Sequence, residues 1–334
     1  MSPPPQIIPP FPYADLLSKG PYGDWRDDLA QDGYVVVKAA IPRNRALQLR
    51  DAAFSWLESF GRGFQRDDPS TYGQEFLPMH NGRGMYSSYG FQQEQWVWDV
   101  RLEPGVKAAF AKLWGTDKLV SSMDGGAIML PGQTPPAELD ANWAHIDCSP
   151  SRVGFFAAQG IINLQDNGPD DGGLVVMKGS SRLMKEFFDE HGRPPVPPVG
   201  EKIDWHMFTE EDKQWFFARG CEWLKVEAEA GDLILWSSGT IHQNTPPKGS
   251  RDRTVTYVCM GPAHIVTPAD QEVRTAAFKS RVWGTSHAPY HGSFAVIRHP
   301  IRPETGKADE ETAKCKSPVV VTDEVLRLAG QLAY

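Results

Sequence analysis

The sequence predicts a mainly-β fold with flanking helices, of the jelly-roll or cupin-like class. From about Leu119 onward, short β-branched and aromatic runs alternate with Gly, Pro, Asn and Asp, which is typical of strands joined by turns. Few helical patterns separate these runs, so a parallel sheet of strand-helix-strand units is disfavoured. With 40% hydrophobic residues, 16 Phe and 11 Trp, the 334-residue chain can form a large aromatic core.

For the N-terminal third of the chain, the sequence predicts an arm followed by a helical layer. Residues 1–24 predict an extended arm on the surface, because proline is frequent there and prevents regular helix or central strand. Residues 25–303 predict a single domain, since decorated β-barrels commonly reach this length. Within that domain, the pattern at 32–42 predicts a strand that leads into a helix at 43–60, and 105–114 predicts a further helix.

The strand-rich part is expected to carry one insertion. Residues 180–220 form a helical, proline-interrupted pattern, and 268–281 predict one more helix. Residues 304–334 predict a charged surface loop followed by a short helix. The strand patterns themselves are LVSSMDGGAIML, RVGFFAAQGIINLQD, GGLVVMKGS, WLKVEAEAGDLILW and RTVTYVCMGPAHIV.

Charge and composition favour a small-molecule partner. The formal net charge of -8 disfavours a nucleic-acid groove or binding to an anionic membrane surface, since both need a cationic face. No run of about 18 apolar residues is present to span a bilayer, and the N-terminus lacks the pattern of a secretory signal. We therefore expect a cytoplasmic protein whose four widely spaced cysteines are reduced thiols. No sequence feature predicts an oligomeric state.

The pattern Trp143-Ala-His145-Ile-Asp147 is the first candidate for a metal site. In an extended segment, residues i and i+2 point to the same side, so His145 and Asp147 can present an imidazole and a carboxylate to one ion. By itself this pattern is weak evidence for a metal site, because a histidine and an acid in a polar loop give the same pattern more often. A distant histidine, His242, strengthens the hypothesis, because it follows an apolar strand and a small-residue turn, Ser237-Ser-Gly239.

Two histidines and one carboxylate on one face of a metal leave coordination positions open for a bidentate co-substrate and dioxygen. This is the facial arrangement of non-haem Fe(II) oxygenases, whereas a closed structural zinc site uses four protein ligands. Arg253 begins an alternating apolar strand downstream of His242 and is the candidate to bind a co-substrate carboxylate. Arg251 is close enough in sequence to compete for that role.

Taken together, these motifs resemble the phytanoyl-CoA dioxygenase family of Fe(II)/2-oxoglutarate oxygenases, particularly its fungal-type members. The resemblance spans roughly residues 30–265 and depends on an ordered set of motifs. They are DGYVVVKAAIP, WAHID, GIINLQDNGPDDGGLVVMKGSSRL, GDLILWSSGTIHQNTPP and RDRTVTYV.

The resemblance implies a double-stranded β-helix core, iron bound by His145, Asp147 and His242, and 2-oxoglutarate held by Arg253. It also implies that Asn142 contacts the co-substrate and that Thr240 assists, although Asn142 also fits a turn residue. Two departures are visible. Lys178-Gly-Ser-Ser181 stands where many relatives have Pro-Gly-Ser-His, and Ala144 separates the tryptophan from the first histidine.

The implied reaction is an O2-dependent oxidation with release of succinate and CO2. In related halogenases, halide takes the place of the carboxylate, so Asp147 favours hydroxylation, desaturation or cyclisation. An acyl-CoA substrate would need a basic patch for its phosphates, and the acidic balance of the chain favours a small metabolite of specialised metabolism instead.

The glycine-rich aromatic stretch 83–98 is the candidate substrate wall. It contains Arg83, Tyr86, Tyr89 and Phe91 as candidate contacts, although aromatic residues of this kind are equally typical of the core. Two other functional classes stay open. One is a zinc-dependent cupin-like hydrolase or isomerase at the same triad, and the other is a non-catalytic jelly-roll binding module.

Overall fold

A computed structural model describes residues 11–133, 143–194 and 205–334 of the chain. Two antiparallel sheets form its centre, and helices cover them. The α-helices of the described residues are α1 Trp25–Asp32, α2 Arg43–Glu58, α3 Gln95–Leu102, α4 Pro104–Trp114, α5 Ser180–His191, α6 Glu210–Phe217, α7 Pro268–Ser280 and α8 Asp323–Leu328. Short 3-10 helices lie at Leu16–Ser18, Pro69–Thr71, Gln74–Phe76, Phe91–Gln93, Ala263–Ile265 and Glu310–Ala313.

The strands are short, as the interrupted sequence pattern predicts. They are β1 Tyr34–Val37, β2 Met85–Tyr86, β3 Leu119–Ser121, β4 Gly126–Met129, β5 His145–Ile146, β6 Ala158–Asn163, β7 Gly173–Lys178, β8 His206–Met207, β9 Glu222–Lys225, β10 Leu233–Ser237, β11 His242–Thr245, β12 Arg253–Val258, β13 Met260–Pro262, β14 Gly284–Thr285, β15 Ala295–Val296, β16 Ile301–Arg302 and β17 Lys307–Ala308.

The two main sheets have crossed connections rather than a simple hairpin order. The larger sheet runs β1-β10-β6-β12-β4-β2 and the smaller one runs β8-β5-β11-β7-β9. Consecutive strands such as β10 and β11 therefore lie in different sheets, as in a jelly roll. The predicted mainly-β, double-stranded β-helix class is confirmed.

The predicted helices at 43–60, 105–114 and 268–281 correspond to α2, α4 and α7, and the strand at 32–42 is β1. Two helices, α1 and α3, were not predicted. α1 is fixed by local capping, because the Asp24 side chain accepts a hydrogen bond from the Arg26 amide and Gly33 ends the helix with φ 81°. Sequence reading missed it because its apolar periodicity is weak.

The ends of the chain contact the core more closely than expected. Within the predicted arm, residues 11–24 are not extended: they form turns and a 3-10 helix, and the Phe11 ring lies 5.1 Å from the Phe156 ring. In the predicted C-terminal surface loop, the Asp309 carboxylate is buried and pairs with the distant Arg62 at 2.8 Å. Both observations show long-range contacts that a local pattern does not carry.

The insertion contributes to the smaller sheet. Of residues 180–220, the structure describes 180–194 and 205–220, which contain α5, β8 and α6. Strand β8 pairs with β5, so it supports the strand that carries His145. Within 11–133, 143–194 and 205–334, no helix combines the length and apolar character needed to cross a bilayer.

A buried arginine connects the C-terminal elements to the sheets. Arg274, on α7, is fully buried and donates hydrogen bonds to the carbonyl oxygens of Ser121 at 2.9 Å, Pro289 at 3.2 Å and Leu328 at 2.7 Å. These carbonyls belong to the end of β3, to the segment after β14 and to α8. One guanidinium therefore fixes three separate stretches of chain.

We predict that Arg274→Met lowers the free energy of unfolding by about 2–4 kcal/mol, because it leaves three buried carbonyl oxygens without their donor. Urea unfolding followed by circular dichroism measures this change. The matched control is Arg327→Met, since that side chain is 38% exposed and lies 4.0 Å from Asp323. Equal stability of the two variants would contradict the prediction.

Candidate metal centre and its cavity

Two histidines lie side by side on neighbouring strands of the smaller sheet. His242, at the start of β11, is the antiparallel register partner of His145 at the start of β5. Their ring centroids are 4.4 Å apart, and both residues are buried. The register therefore brings together two imidazoles that are almost one hundred positions apart in the chain.

Asp147 completes the cluster. Its amide donates to the carbonyl oxygen of Ser238 at 3.0 Å, in the turn before His242. Its carboxylate oxygens lie 3.6 Å from Nε2 of His145 and 3.2 Å from Nε2 of His242. One ligand atom from each of the three residues falls within 4.8 Å of the others, and within the described ranges this is the group that satisfies metal-ligand spacing.

Backbone carbonyls fix the orientation of both imidazoles. Nδ1 of His145 lies 2.7 Å from the carbonyl oxygen of Trp143, and Nδ1 of His242 lies 2.9 Å from that of Thr240. A carbonyl accepts only, so each Nδ1 must carry the proton and donate it. Each Nε2 then carries no proton, points toward Asp147 and has a lone pair free to bind a metal. A metal bound through Nε2 requires this Nδ1-protonated tautomer.

The electrostatics of the cluster suit a cation. Burial, together with the neighbouring His242, lowers the pKa of His145 to about 4, so this imidazole is neutral at neutral pH. Burial favours the protonated form of Asp147, but His145 and His242 outweigh that effect and hold the pKa of Asp147 below its usual range. Gln159 also donates to the Asp147 carboxylate at 3.0 Å, which keeps it oriented.

These three groups fit a metal ion with an open face. Ligands about 2.1 Å from a metal and at right angles to each other are separated by about 3 Å, close to the carboxylate-imidazole distances seen here. Two nitrogens and one carboxylate oxygen are the donor set of a non-haem Fe(II) site. Because three protein ligands leave other positions free, the donor set differs from that of a closed structural zinc site.

A cavity of about 280 Å³ opens onto the cluster, and Arg253 lies in its wall. The Arg253 side chain is buried, and no carboxylate of the described residues forms an ion pair with it. Burial lowers the pKa of Arg253 and raises the pKa of the adjacent Tyr257 hydroxyl. Arg251 is exposed, is paired with Asp166 and Asp171, and does not line the cavity.

The other candidate co-substrate contacts are placed differently. Asn142 lies outside the described residues. The Thr240 hydroxyl donates to the carbonyl oxygen of Gly33 at 2.7 Å and does not line the cavity, so Thr240 contributes to the centre through its carbonyl, which orients His242.

The candidate substrate wall divides into two parts. Arg83 is buried rather than solvated, and its guanidinium stacks 4.3 Å from the centre of the Trp143 ring, next to the cavity. The structure does not bring Tyr86, Tyr89 or Phe91 to the cavity. All three are buried in an aromatic cluster, where Tyr86 packs on Trp56 and Tyr89 donates to Asp309.

Sequence reading missed several residues of the cavity wall. Tyr257 had a local signal, since it is four positions from Arg253 on one strand and therefore on the same face. Asp124, Gln159 and His287 had none, because they reach the cavity from separate parts of the chain. The same applies to the apolar lining, which includes Met85, Trp143, Ile161, Leu174, Trp236, Val258, Phe294 and Val296.

Comparison with known proteins identifies the family of the chain. The family model for phytanoyl-CoA dioxygenase (PhyH) matches residues 29–255, more than half of the chain. The "Ava biosynthesis cluster protein O" of Aspergillus versicolor is 36% identical over 295 residues, covering 85% of this chain and 92% of that protein.

Solved structures share the fold at low identity. A hypothetical protein from Escherichia coli aligns with a TM-score of 0.59 and 15% identity, over 97% of this chain and 86% of that one. GlcNAc Inducible Gene 2 of Candida albicans aligns with a TM-score of 0.53 and 14% identity, over 80% and 73%. The sequence matches are what establish kinship: the chain belongs to the phytanoyl-CoA dioxygenase family of Fe(II)- and 2-oxoglutarate-dependent oxygenases, as its motifs led us to expect.

Proposed function

We propose that the protein hydroxylates a small organic metabolite, with Fe(II) bound by His145, Asp147 and His242 and with 2-oxoglutarate anchored by Arg253. The observation that carries this proposal is the shared cavity. A buried arginine, with no acidic partner in the part of the chain that the structure describes, lines the same 280 Å³ space as a two-histidine, one-carboxylate cluster. A buried guanidinium is costly unless an anion pairs with it, so the cavity favours an anionic occupant.

Arg253 and Tyr257 are suited to the distal carboxylate of 2-oxoglutarate. The planar guanidinium donates two parallel hydrogen bonds to a carboxylate, and the Tyr257 hydroxyl next to it supplies another donor. Both side chains are held on β12, whose neighbours β4 and β6 restrict their movement. The anion therefore meets donors that are already oriented, which limits the entropy lost on binding.

The three metal-binding residues determine which kind of oxidation the proposed centre supports. Fe(II) with 2-oxoglutarate and O2 supplies the oxidising chemistry, coupled to release of succinate and CO2. The Nδ1 atoms of His145 and His242 donate to backbone carbonyls, which orients each Nε2 toward the metal position. Asp147 occupies the third ligand position and, with Gln159 holding it, keeps that position from an exogenous halide. This donor set supports hydroxylation of a bound C–H group.

The walls of the cavity favour a compact, largely apolar substrate. Trp143, Leu174, Trp236 and Phe294 contribute apolar surface, and the volume suits a small organic molecule. The relationship to a protein of a fungal biosynthesis cluster supports a metabolite of specialised metabolism as the substrate.

We predict that Asp147→Ala abolishes succinate formation from 2-oxoglutarate, because two imidazoles alone bind Fe(II) weakly and leave its geometry undefined. Metal content after dialysis and succinate release by chromatography measure the two effects. The matched control is Asp170→Ala, an exposed carboxylate remote from the cavity. Succinate release at the native rate in the Asp147 variant would contradict the assignment.

Exchange of Arg253 for Gln is expected to weaken 2-oxoglutarate binding by at least about tenfold, since a charge-assisted bidentate contact is lost. Calorimetric titration of the Mn(II)-loaded protein with 2-oxoglutarate measures this without turnover. The control is Arg251→Gln, which removes an exposed guanidinium two positions away. If Arg251→Gln shows the larger loss, the two arginines have been assigned the wrong way round.

A further inference from the structure

A second polar group lies in the cavity wall, apart from the metal ligands and Arg253. It consists of Asp124, in the turn between β3 and β4, and His287, which follows β14. Both residues line the cavity. Burial raises the pKa of the Asp124 carboxyl, and the neighbouring His287 is close enough to oppose part of that shift. Neither residue has a role in binding iron or 2-oxoglutarate in the function proposed above.

The fold holds these two residues together by backbone contacts. The amide of Thr285 donates to the carbonyl oxygen of Met123 at 2.8 Å, and the Met123 amide donates to the Thr285 hydroxyl at 2.9 Å. Gly284 permits this approach, because a Cβ there would lie 2.5 Å from the Met123 carbonyl oxygen. Asp124 and His287 each lie next to this junction, so their spacing is fixed by the main chain.

A buried arginine holds the main chain of Asp124 in place. Arg101, on α3, donates to the carbonyl oxygen of Asp124 at 2.9 Å and to that of Gln92 at 2.8 Å. The guanidinium thus binds the main chain of Asp124 rather than its carboxylate. The side chain is left to project into the cavity that it lines.

Both side chains retain hydrogen-bonding capacity. Oδ1 of Asp124 accepts from the Gly125 amide at 2.7 Å, and no ion pair to the carboxylate is found among the described residues. Nε2 of His287 is buried and has no hydrogen-bond partner among them. A buried polar atom without a partner is costly, so a ligand that supplies one gains binding free energy here.

The side chains around Asp124 and His287 indicate which chemical group of a bound molecule would fit here. Asp124 presents an acceptor, and the wall near it includes Tyr257 and Cys259. Burial, with a further contribution from Asp124, raises the pKa of both groups, so their neutral, protonated forms are favoured. Arg298 lines the cavity as well, but it is exposed and therefore solvated. The next apolar groups, Phe294 and Val296, lie on the same C-terminal segment as His287.

We infer that Asp124 and His287 form the head-group subsite for the oxidised substrate, and that they recognise a hydrogen-bond-donating group, a hydroxyl or an ammonium, on an otherwise apolar molecule. This inference rests on the proposed function, since it assigns the part of the cavity that Fe(II) and 2-oxoglutarate do not use. Asp124 accepts the hydrogen bond from the head group, and His287 completes the contact from the neighbouring segment. The apolar wall packs against the body of the substrate and holds it beside the metal.

Three probes that share one apolar body test the inference: 4-phenylbutylamine, 4-phenylbutanol and butylbenzene. Each is titrated anaerobically into the protein loaded with Fe(II) and 2-oxoglutarate, and binding is followed by the change in the visible charge-transfer band of the chelate. We expect the amine or the alcohol to bind at least about tenfold more tightly than the hydrocarbon, since a hydrogen bond to a buried acceptor is gained.

The variants separate the head-group contact from general packing. Asp124→Leu should remove the preference for the polar probes while the band with 2-oxoglutarate stays unchanged, which also shows that the variant is folded. Asp124→Asn retains an acceptor but no charge. It should remove a preference for the amine and retain one for the alcohol, so it distinguishes a cationic from a hydroxylated head group. The matched control is Asp117→Leu, an exposed residue of the loop before β3.

The outcomes distinguish a failure of the head-group assignment from a failure of the proposed function. A normal band with equal affinity for all three probes, or a polar preference that persists in Asp124→Leu, overturns the head-group assignment and leaves the proposed function intact. Absence of the band in the native protein overturns the proposed function itself. A polar preference that is lost in Asp124→Leu and retained in Asp117→Leu supports the assignment.

Discussion

The antiparallel register between β5 and β11 is the constraint on which the site depends. It places His242 opposite His145, and the Asp147 amide then binds the turn that precedes His242. Carbonyls of the same two segments accept the Nδ1 protons, so the backbone that sets the spacing also sets the tautomers. A slip of one residue would turn one imidazole to the other face of the sheet and dismantle the ligand set.

The two sheets contribute different residues to the site. The smaller sheet carries His145 and His242, with Asp147 directly after β5, whereas the larger sheet carries Arg253 and Tyr257 on β12. Gln159, on β6 of the larger sheet, reaches across to the Asp147 carboxylate and links the two halves. The C-terminal segment after β14 closes the remaining wall, and the buried Arg274 ties it to the body of the fold.

Features that depend on local pattern were predictable from the sequence. The His-x-Asp spacing, the apolar strand and small-residue turn before His242, and the helices α2, α4 and α7 are all local signals. Long-range contacts were not. The aromatic stretch near Tyr86 gave no sign of which side chains face the core, and there the pleat of β2 sends Met85 to the cavity and Tyr86 away from it. Asp124 and His287 meet only through the tertiary fold.

In the function we propose, the triad and Arg253 together form one site for Fe(II) and 2-oxoglutarate. Anaerobic titration of the Fe(II)-loaded protein with 2-oxoglutarate, followed in the visible region, tests it most directly. The account predicts a charge-transfer band that saturates at one 2-oxoglutarate per chain. No band at saturating 2-oxoglutarate, with tight zinc binding in its place, would contradict it and favour a zinc-dependent hydrolase at the same three ligands.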